Sequence, residues 1–426
     1  MKRSSWLNWL TRIGPGFVVC AVVLGPGSLT AATQMGAKFG YAMLWVPLAA
    51  GLAMAVFTTF FMRYGIEADR SFLTLVADSW GRWYAAVCGC AMFFVCASFQ
   101  FGNNVGTATG MDGLLAPSVE PGKPIAPVLP AWAWIVGFNA LSILFLFGFK
   151  RIYAILEKSM TVLVAIMVVV FFANLYFVQP SLPASLAGLV PTIPKDMDWF
   201  LAAATVATTF SIVAAIFQGY LVRVRGWTRA DYARGAADSI SGIAILTLVT
   251  MVVLATSAAV FKPTDRISTA ADMAGQLQHM FGTFSRIIFC IGFVSAAFSS
   301  FLVNAMIGGT LLADGLGCGD DLDSRPARVF STLALLVGMT VAWLVKYSAV
   351  SFADALMVGE AGTLLTVPLV IPATVLVLLA GRKAGFKPVG LFGKLATLAG
   401  VLLLLFMVFM SFEKIMLRIG KTFGWY

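Results

Sequence analysis

Apolar residues run through this chain in long stretches, separated by short polar segments that hold most of the charge. The stretches lie at about 13–36, 41–63, 84–113, 131–149, 154–178, 198–222, 238–261, 284–313, 327–346, 354–381 and 390–412. A helix of roughly 20 apolar residues crosses a bilayer, and a helix satisfies its own backbone there. The pattern predicts an all-α polytopic membrane protein of about eleven transmembrane helices, one domain over residues 1–426. The first stretch is interrupted at its middle by Gly25-Pro26-Gly27-Ser28. Pro26 has no amide hydrogen, and the glycines relax the helical preference. Lipid cannot satisfy the backbone groups such a break exposes, so it must line a cavity enclosed by protein. Broken helices at the midplane build substrate sites in many transporters.

Charge sets the orientation. With the N-terminus inside, the inner segments carry Lys2, Arg3, Arg12, Arg63, Arg70, Arg82, Lys150, Arg151, Arg223, Arg225, Arg229, Arg234, Arg325, Arg328, Arg382, Lys383, Lys387 and Lys394. The outer loops carry only Lys38, Lys123, Lys195, Lys262, Arg266 and Lys346. The positive-inside rule then predicts a cytoplasmic N-terminus and an extracellular C-terminus, with Lys414, Arg418 and Lys421 running against the trend. The two longest outer loops are about 114–130, proline-rich and expected to be extended, and 262–283. Five helices before and five after the loop near 180–197 would form two inverted repeats, about 13–178 and 198–381, with an extra helix at about 390–412.

Composition excludes several classes. Hydrophobic residues make up 60% and charged residues 11%, with a mean hydropathy of +0.92, which no ordinary soluble domain has. The net charge of +10 is spread between the apolar stretches rather than gathered in a patch, so no nucleic acid partner is implied. The start, MKRSSWLNWLTRIG, lacks an A-x-A cleavage pattern. Most of the six cysteines sit in apolar runs and read as small buried residues, and Cys88-Gly89-Cys90 lacks zinc-ribbon spacing. The one histidine, His279, lies in a polar loop. A histidine-based metal centre or nucleophilic triad within the membrane is therefore excluded, and an enzyme with it. Nothing implies a cofactor or an obligatory protein partner.

Polar residues at membrane depth are costly and mark function or helix contacts. Around the first break they are Ser28, Thr30, Thr33 and Gln34. The third helix has Gln100, Asn103 and Thr107 on one face, with Asn104 beside them. The sixth has Thr205, Thr208, Thr209, Ser211 and Gln218. Each threonine alone is explained by bonding back to the preceding turn, but together they form a polar face. No proline marks a break there. Ser295, Ser299, Ser300 and Asn304 in the eighth helix read as close-packing residues. Glu360 is the best candidate for a deep acid; ionised, it needs a cation, a positive partner or water, and otherwise it is held protonated.

These residues carry a resemblance to the Nramp family of divalent-metal transporters, over nearly the whole length. Gly14-Pro15-Gly16-Phe17, Gly36-Ala37-Lys38-Phe39-Gly40-Tyr41 and Leu44-Trp45 resemble its first two helices. Ile155-Leu156-Glu157-Lys158 resembles its fifth, and LAGLVPTIP at 186–194 the approach to its sixth. The resemblance implies a LeuT/APC-type fold with helices one and six broken. The departures fall on functional positions. Where the family has Asp-Pro-Gly-Asn this chain has Gly25-Pro26-Gly27-Ser28, and Ser211 stands where it has its metal-binding Met. Val213 and Gln218 stand for histidines, Gln100 and Asn103 for acidic positions tied to proton movement, and Glu360 for a Gln.

Loss of the thioether removes the soft ligand that favours manganese and iron, and loss of Asp and Asn removes inner-sphere ligands. The remaining oxygens suit a cation that keeps its water, as magnesium does. The pattern resembles the prokaryotic Nramp-related magnesium transporters. It implies a plasma-membrane carrier of hydrated magnesium, with manganese competing, without proton coupling and by alternating access. Ser28 and Ser211 are then expected as water-mediated metal contacts together with Glu360. Carbonyls of Leu24 or Gly25 and of Thr208 would add oxygens, and Gln100, Asn103 and Gln218 would line the cavity. The rival is an amino acid or small carboxylate, drawn by the positive amide end of a half-helix. Glu360 decides between them: facing the break, it favours a cation.

Overall fold

The computed structural model describes residues 14–115, 128–148, 152–265, 267, 270–274, 285–346, 352–380 and 390–422. The basic start, most of the proline-rich loop and His279 lie outside them. Two half-helices come first among the described residues, α1 (Pro15–Val23) and α2 (Pro26–Phe39), followed by α3 (Trp45–Glu67), the short α4 (Phe72–Trp80) and α5 (Arg82–Leu115). Then come α6 (Ala131–Gly148), α7 (Ile152–Val178) and a short helix on the loop, α8 (Leu182–Ala187). A second interrupted span follows as α9 (Trp199–Thr209) and α10 (Ile212–Val224), then α11 (Tyr232–Val260) and the single turn α12 (Ala270–Met273). The chain ends with α13 (Ser285–Gly315), α14 (Arg325–Lys346), α15 (Phe352–Gly362), α16 (Val367–Ala380) and α17 (Leu391–Thr422).

Among the described residues, nine helices are long and apolar enough to cross a membrane, and the bent pair α1–α2 makes ten. α7 is 27 residues long, but only Val168–Val178 of it counts, as a shorter apolar helix, so the described residues give nine or ten spans where the sequence predicts about eleven. α7 keeps the fifth place in the order of spans. The expected arrangement of broken first and sixth helices is present. Two boundaries differ from the sequence reading. The last helix runs to Thr422 rather than about 412, because Glu413, Lys414, Arg418 and Lys421 end the apolar run without ending the helical conformation. The tenth span is divided by a 3-10 turn at Thr363–Thr366, three residues after Glu360.

The sixth span is the core of the bundle: every residue from Phe200 to Val222 is buried. α9 packs on α2, α3, α15 and α17, while α10 packs on α1 and α3. Both halves of the first span lean on α11. At one end the Asp238 carboxylate accepts from the amides of Gly14 and Gly16, both at 2.7 Å, and so caps α1. A Cβ on Gly16 would overlap the backbone of Asp238, so that approach requires glycine. At the other end Ser257 Oγ donates to the Thr33 carbonyl at 2.5 Å. Lys38, near the end of α2, pairs at 2.7 Å with Asp198, which caps α9. Burial opposes ionisation of Asp198, yet the Lys38 ammonium and the Leu201 amide hold its carboxyl below the usual range.

Candidate functional site

The first break occupies two residues. Leu24 leaves helical geometry (φ −80°, ψ 64°) and Gly25 is extended (φ −105°, ψ −175°), after which Pro26 opens α2 with no amide to satisfy. The two halves meet at 58°. Most of the carbonyls freed here are taken. Cys20 O accepts from the Leu24 amide and Val23 O from the Gly25 amide, both at 2.9 Å. Val22 O accepts from Ser300 Oγ at 3.2 Å. Gly25 O accepts from Ser28 Oγ at 2.8 Å and the Leu29 amide at 3.3 Å. Leu24 O has no hydrogen bond among the described residues. Of the two carbonyls expected to face a substrate, Leu24 is therefore the free one and Gly25 is engaged within its own turn.

Helices α5 and α13 hold this break through amides. Asn103 Nδ2 donates to Ser300 Oγ at 3.0 Å and Asn304 Nδ2 to the same oxygen at 2.8 Å. Gln100 Nε2 donates to the Phe301 carbonyl at 2.6 Å, and its Oε1 lies 3.3 Å from Asn103 Nδ2. Asn104 Oδ1 accepts from Asn139 of α6 at 2.5 Å. A Cβ on Gly25 would sit 3.2 Å from Ser300 Oγ and 3.6 Å from Asn103 Oδ1. Ser300 is thus the centre of the network. The sequence showed it as one serine among several in an apolar helix, a pattern that reads as packing.

Glu360 reaches the same place from α15. It is buried, and a Cβ on Gly27 would overlap its Oε1; a Cβ on Gly102 would lie 3.4 Å from that atom. The carboxylate thus lies against the first turn of α2, where backbone amides lack partners and the helix end is positive. Glu360 Oε2 is buried and has no hydrogen-bond partner among the described residues.

The sixth-span break falls at Phe210 (φ −114°, ψ 83°) and Ser211 (φ −91°, ψ 104°). Phe210 is anchored edge-on to Phe57 with centroids 4.9 Å apart. Ser211 caps α10 by accepting from the Ala214 amide at 3.3 Å. Thr208 remains helical and donates to the carbonyls of Ala204 and Thr205. Its own carbonyl lies in the last turn of α9, where the ladder ends. Gln218 is two turns further on. Its Nε2 donates to Ser239 at 3.1 Å, and its Oε1 is buried without a partner.

The structure therefore brings together Gly25, Ser28, Gln100, Asn103, Glu360 and the Leu24 carbonyl around the first break. Among the described residues it makes no hydrogen bond from Thr208, Ser211 or Gln218 to that break. Gln218 is tied instead to α11, beside the Asp238 that caps α1. Part of the 262–283 loop also enters the core, which the sequence reading did not foresee. Ile267, Met273 and Ala274 are buried, Thr30 Oγ1 lies 3.6 Å from Met273 Sδ, and Gln34 Nε2 donates to the Ile267 carbonyl.

The chemistry of the cluster is that of an acceptor-lined site. Ser28 and Thr208 commit their hydroxyl protons to carbonyls, and the Ser211 hydroxyl accepts from an amide. Among the polar side chains named so far, the buried oxygens without a partner among the described residues are Glu360 Oε2, Gln218 Oε1, Thr107 Oγ1 and Asn139 Oδ1. A metal held here would meet one carboxylate and neutral oxygens.

The family model described as natural resistance-associated macrophage protein-like (Nramp) matches residues 16–417. The chain belongs to the Nramp family. Among its Nramp relatives, the divalent metal cation transporter MntH of Klebsiella pneumoniae is 27% identical over 307 residues, covering 70% of this chain and 71% of the relative. MntH of Granulibacter bethesdensis is 23% identical over 397 residues, 91% and 84% of the two chains. A crystal structure of a mutant Eremococcus coleocola manganese transporter superposes with a TM-score of 0.71 at 16% identity, covering 100% of this chain and 95% of that one. Mhp1, a nucleobase-cation-symport-1 family transporter, gives 0.55 at 15% identity over 97% and 94%. The fold is the LeuT type shared by these transporters, and the Nramp relatives are transporters rather than enzymes.

Proposed function

We propose that this Nramp-family chain carries divalent cations across a prokaryotic plasma membrane, with magnesium as its main substrate and manganese competing. The cation keeps most of its water, and no proton moves with it. The observation that carries this reading is the Glu360 carboxylate against the first turn of α2, one oxygen unpaired. The carboxylate that the family places on the first helix is here supplied by the tenth span.

One carboxylate and neutral oxygens compensate poorly for stripping magnesium of its water, which it gives up reluctantly. Water held by the ion turns its hydrogens outward, and the unpaired atoms around the breaks are acceptors that meet those hydrogens. Ser28, Ser211, Thr208, Leu24 and Gln218 serve in this way. The side chains from the break towards α6 (Gln100, Asn103, Asn104, Asn139, Ser300 and Asn304) are amides and hydroxyls, which do not titrate near neutral pH. Such a chain offers no relay for proton coupling. The same Glu360 argues against an organic anion, because it already answers the positive end of α2.

The two inverted halves, about 13–178 and 198–381, would rock against each other. The arginine-rich ends of α3, α5 and α10 would face the cytoplasm. An inside-negative potential would then draw the cation inward with about 2.3 kcal/mol per charge per 100 mV. Purified chain in liposomes is expected to take up manganese, to lose that uptake as magnesium is added, and to leave internal pH unchanged. Uptake of an amino acid or carboxylate without any divalent flux would overturn the reading, and internal acidification would overturn its uncoupled form.

A further inference from the structure

The half-helix α10 is fastened at both ends, and its far fastening has no part in the site around the breaks. Tyr220 Oη donates to Asp314 Oδ2 at 2.5 Å. Asp314 lies in the last turn of α13 and is 1% exposed. Its other oxygen accepts from Thr74 Oγ1 of α4 at 2.9 Å, and its carbonyl accepts from Arg82 of α5 at 2.9 Å. One turn beyond Tyr220, Arg223 faces Asp320 at 3.4 Å, just past the end of α13. Thr74, Arg82, Arg223, Asp314 and Asp320 line a polar cleft of about 280 Å³ on the arginine-rich face, together with Asp69 and Arg70.

A carboxylate buried to this degree with two hydroxyl donors is costly to separate from them. Tyr220 and Ser211 are nine residues apart on one half-helix, about 13 Å at 1.5 Å per residue. A helix of that length moves as a rod, so displacing Tyr220 from α13 also displaces the cap at the sixth-span break. α10 touches α13, and the Tyr220–Asp314 bond joins the two at the end of α10 away from the break.

We propose that Asp314 is a positioning residue for transport: through Tyr220 and Thr74 it latches α10 in the position that closes the site to the arginine-rich face. Release of the ion to that face requires Tyr220 and Asp314 to part. The idea rests on the site proposed above, but its test needs no ion.

The test uses the full-length chain with Ser211→Cys as reporter and the six native cysteines replaced. An impermeant maleimide is applied from each side of sealed vesicles. Tyr220→Phe is expected to raise labelling from the arginine-rich face several-fold and to lower it from the other face. A second variant, Tyr220→Phe with Asp314→Leu, removes both partners and leaves no unpaired buried charge; it is expected to show the same gain. The native Cys318, exposed beside the cleft, identifies which side of the membrane that face occupies when it is kept as the only cysteine. Unchanged labelling in the folded double variant, or loss of thermal stability alone, overturns the latch. Failure of manganese uptake with labelling as expected would strike the proposed substrate and leave the latch standing.

Discussion

The first span turns by 58° across Leu24 and Gly25, while the sixth runs through Phe210 and Ser211 as one continuous crossing. The first break depends on other helices. Val22 leans on Ser300 of α13, and Gly27 makes room for Glu360 of α15. The sixth break satisfies itself: the Phe210 amide bonds Val206, and Ser211 accepts from Ala214 and Ala215 through its side chain and carbonyl. One interruption is built by tertiary contacts and the other by a local cap. Damage to the first should spread through three spans, and damage to the second should stay within a turn.

The largest effect is expected from Gly27→Ala. Its methyl group would take the place of the Glu360 carboxylate, so manganese uptake should be abolished in a chain that still purifies as a single species; normal uptake would remove the contact from the argument. Next comes Glu360→Gln, which keeps the shape and removes the charge. Uptake efficiency should fall by about tenfold or more, the equivalent of 1.4 kcal/mol, and an unchanged rate would take Glu360 out of the site. The smallest effect is expected from Ser211→Ala. Loss of a serine cap costs about 1 kcal/mol, which bounds the change in ion affinity at about fivefold. A larger loss in a flux assay would show that Ser211 touches the ion's shell directly and that the two breaks are less different than their bonding suggests.

The two breaks also differ in how they are written in the chain. Pro26 between two glycines announces the first, because each residue has a backbone consequence wherever it stands. Phe210 and Ser211 carry no such mark; Ser211 is a good cap, but serines in apolar helices also bond back to the preceding turn without ending it. The spans themselves were legible because twenty apolar residues have one use in a chain of this composition. The contacts that complete the site were not. Glu360 meets Gly27 across more than three hundred residues, and Asp238 caps α1 through Gly14, which lies 224 residues before it. No local periodicity encodes such pairs. Asp238 did leave a trace, as a lone acid at the edge of an apolar run, and so did Asp314; the polar pattern alone does not say what either holds.

The fit of Glu360 against a residue without a side chain has a consequence for how this sequence could change. An acid placed at position 25 while Glu360 remains would set two carboxylates beside one short turn, where they repel and one is forced to take up a proton. Removing Glu360 first would leave the turn with no acid. The arrangement found here and the one with its carboxylate on the first helix are therefore separated by poorer intermediates in either order of substitution. Lineages on the two sides of that valley would stay apart over long divergence.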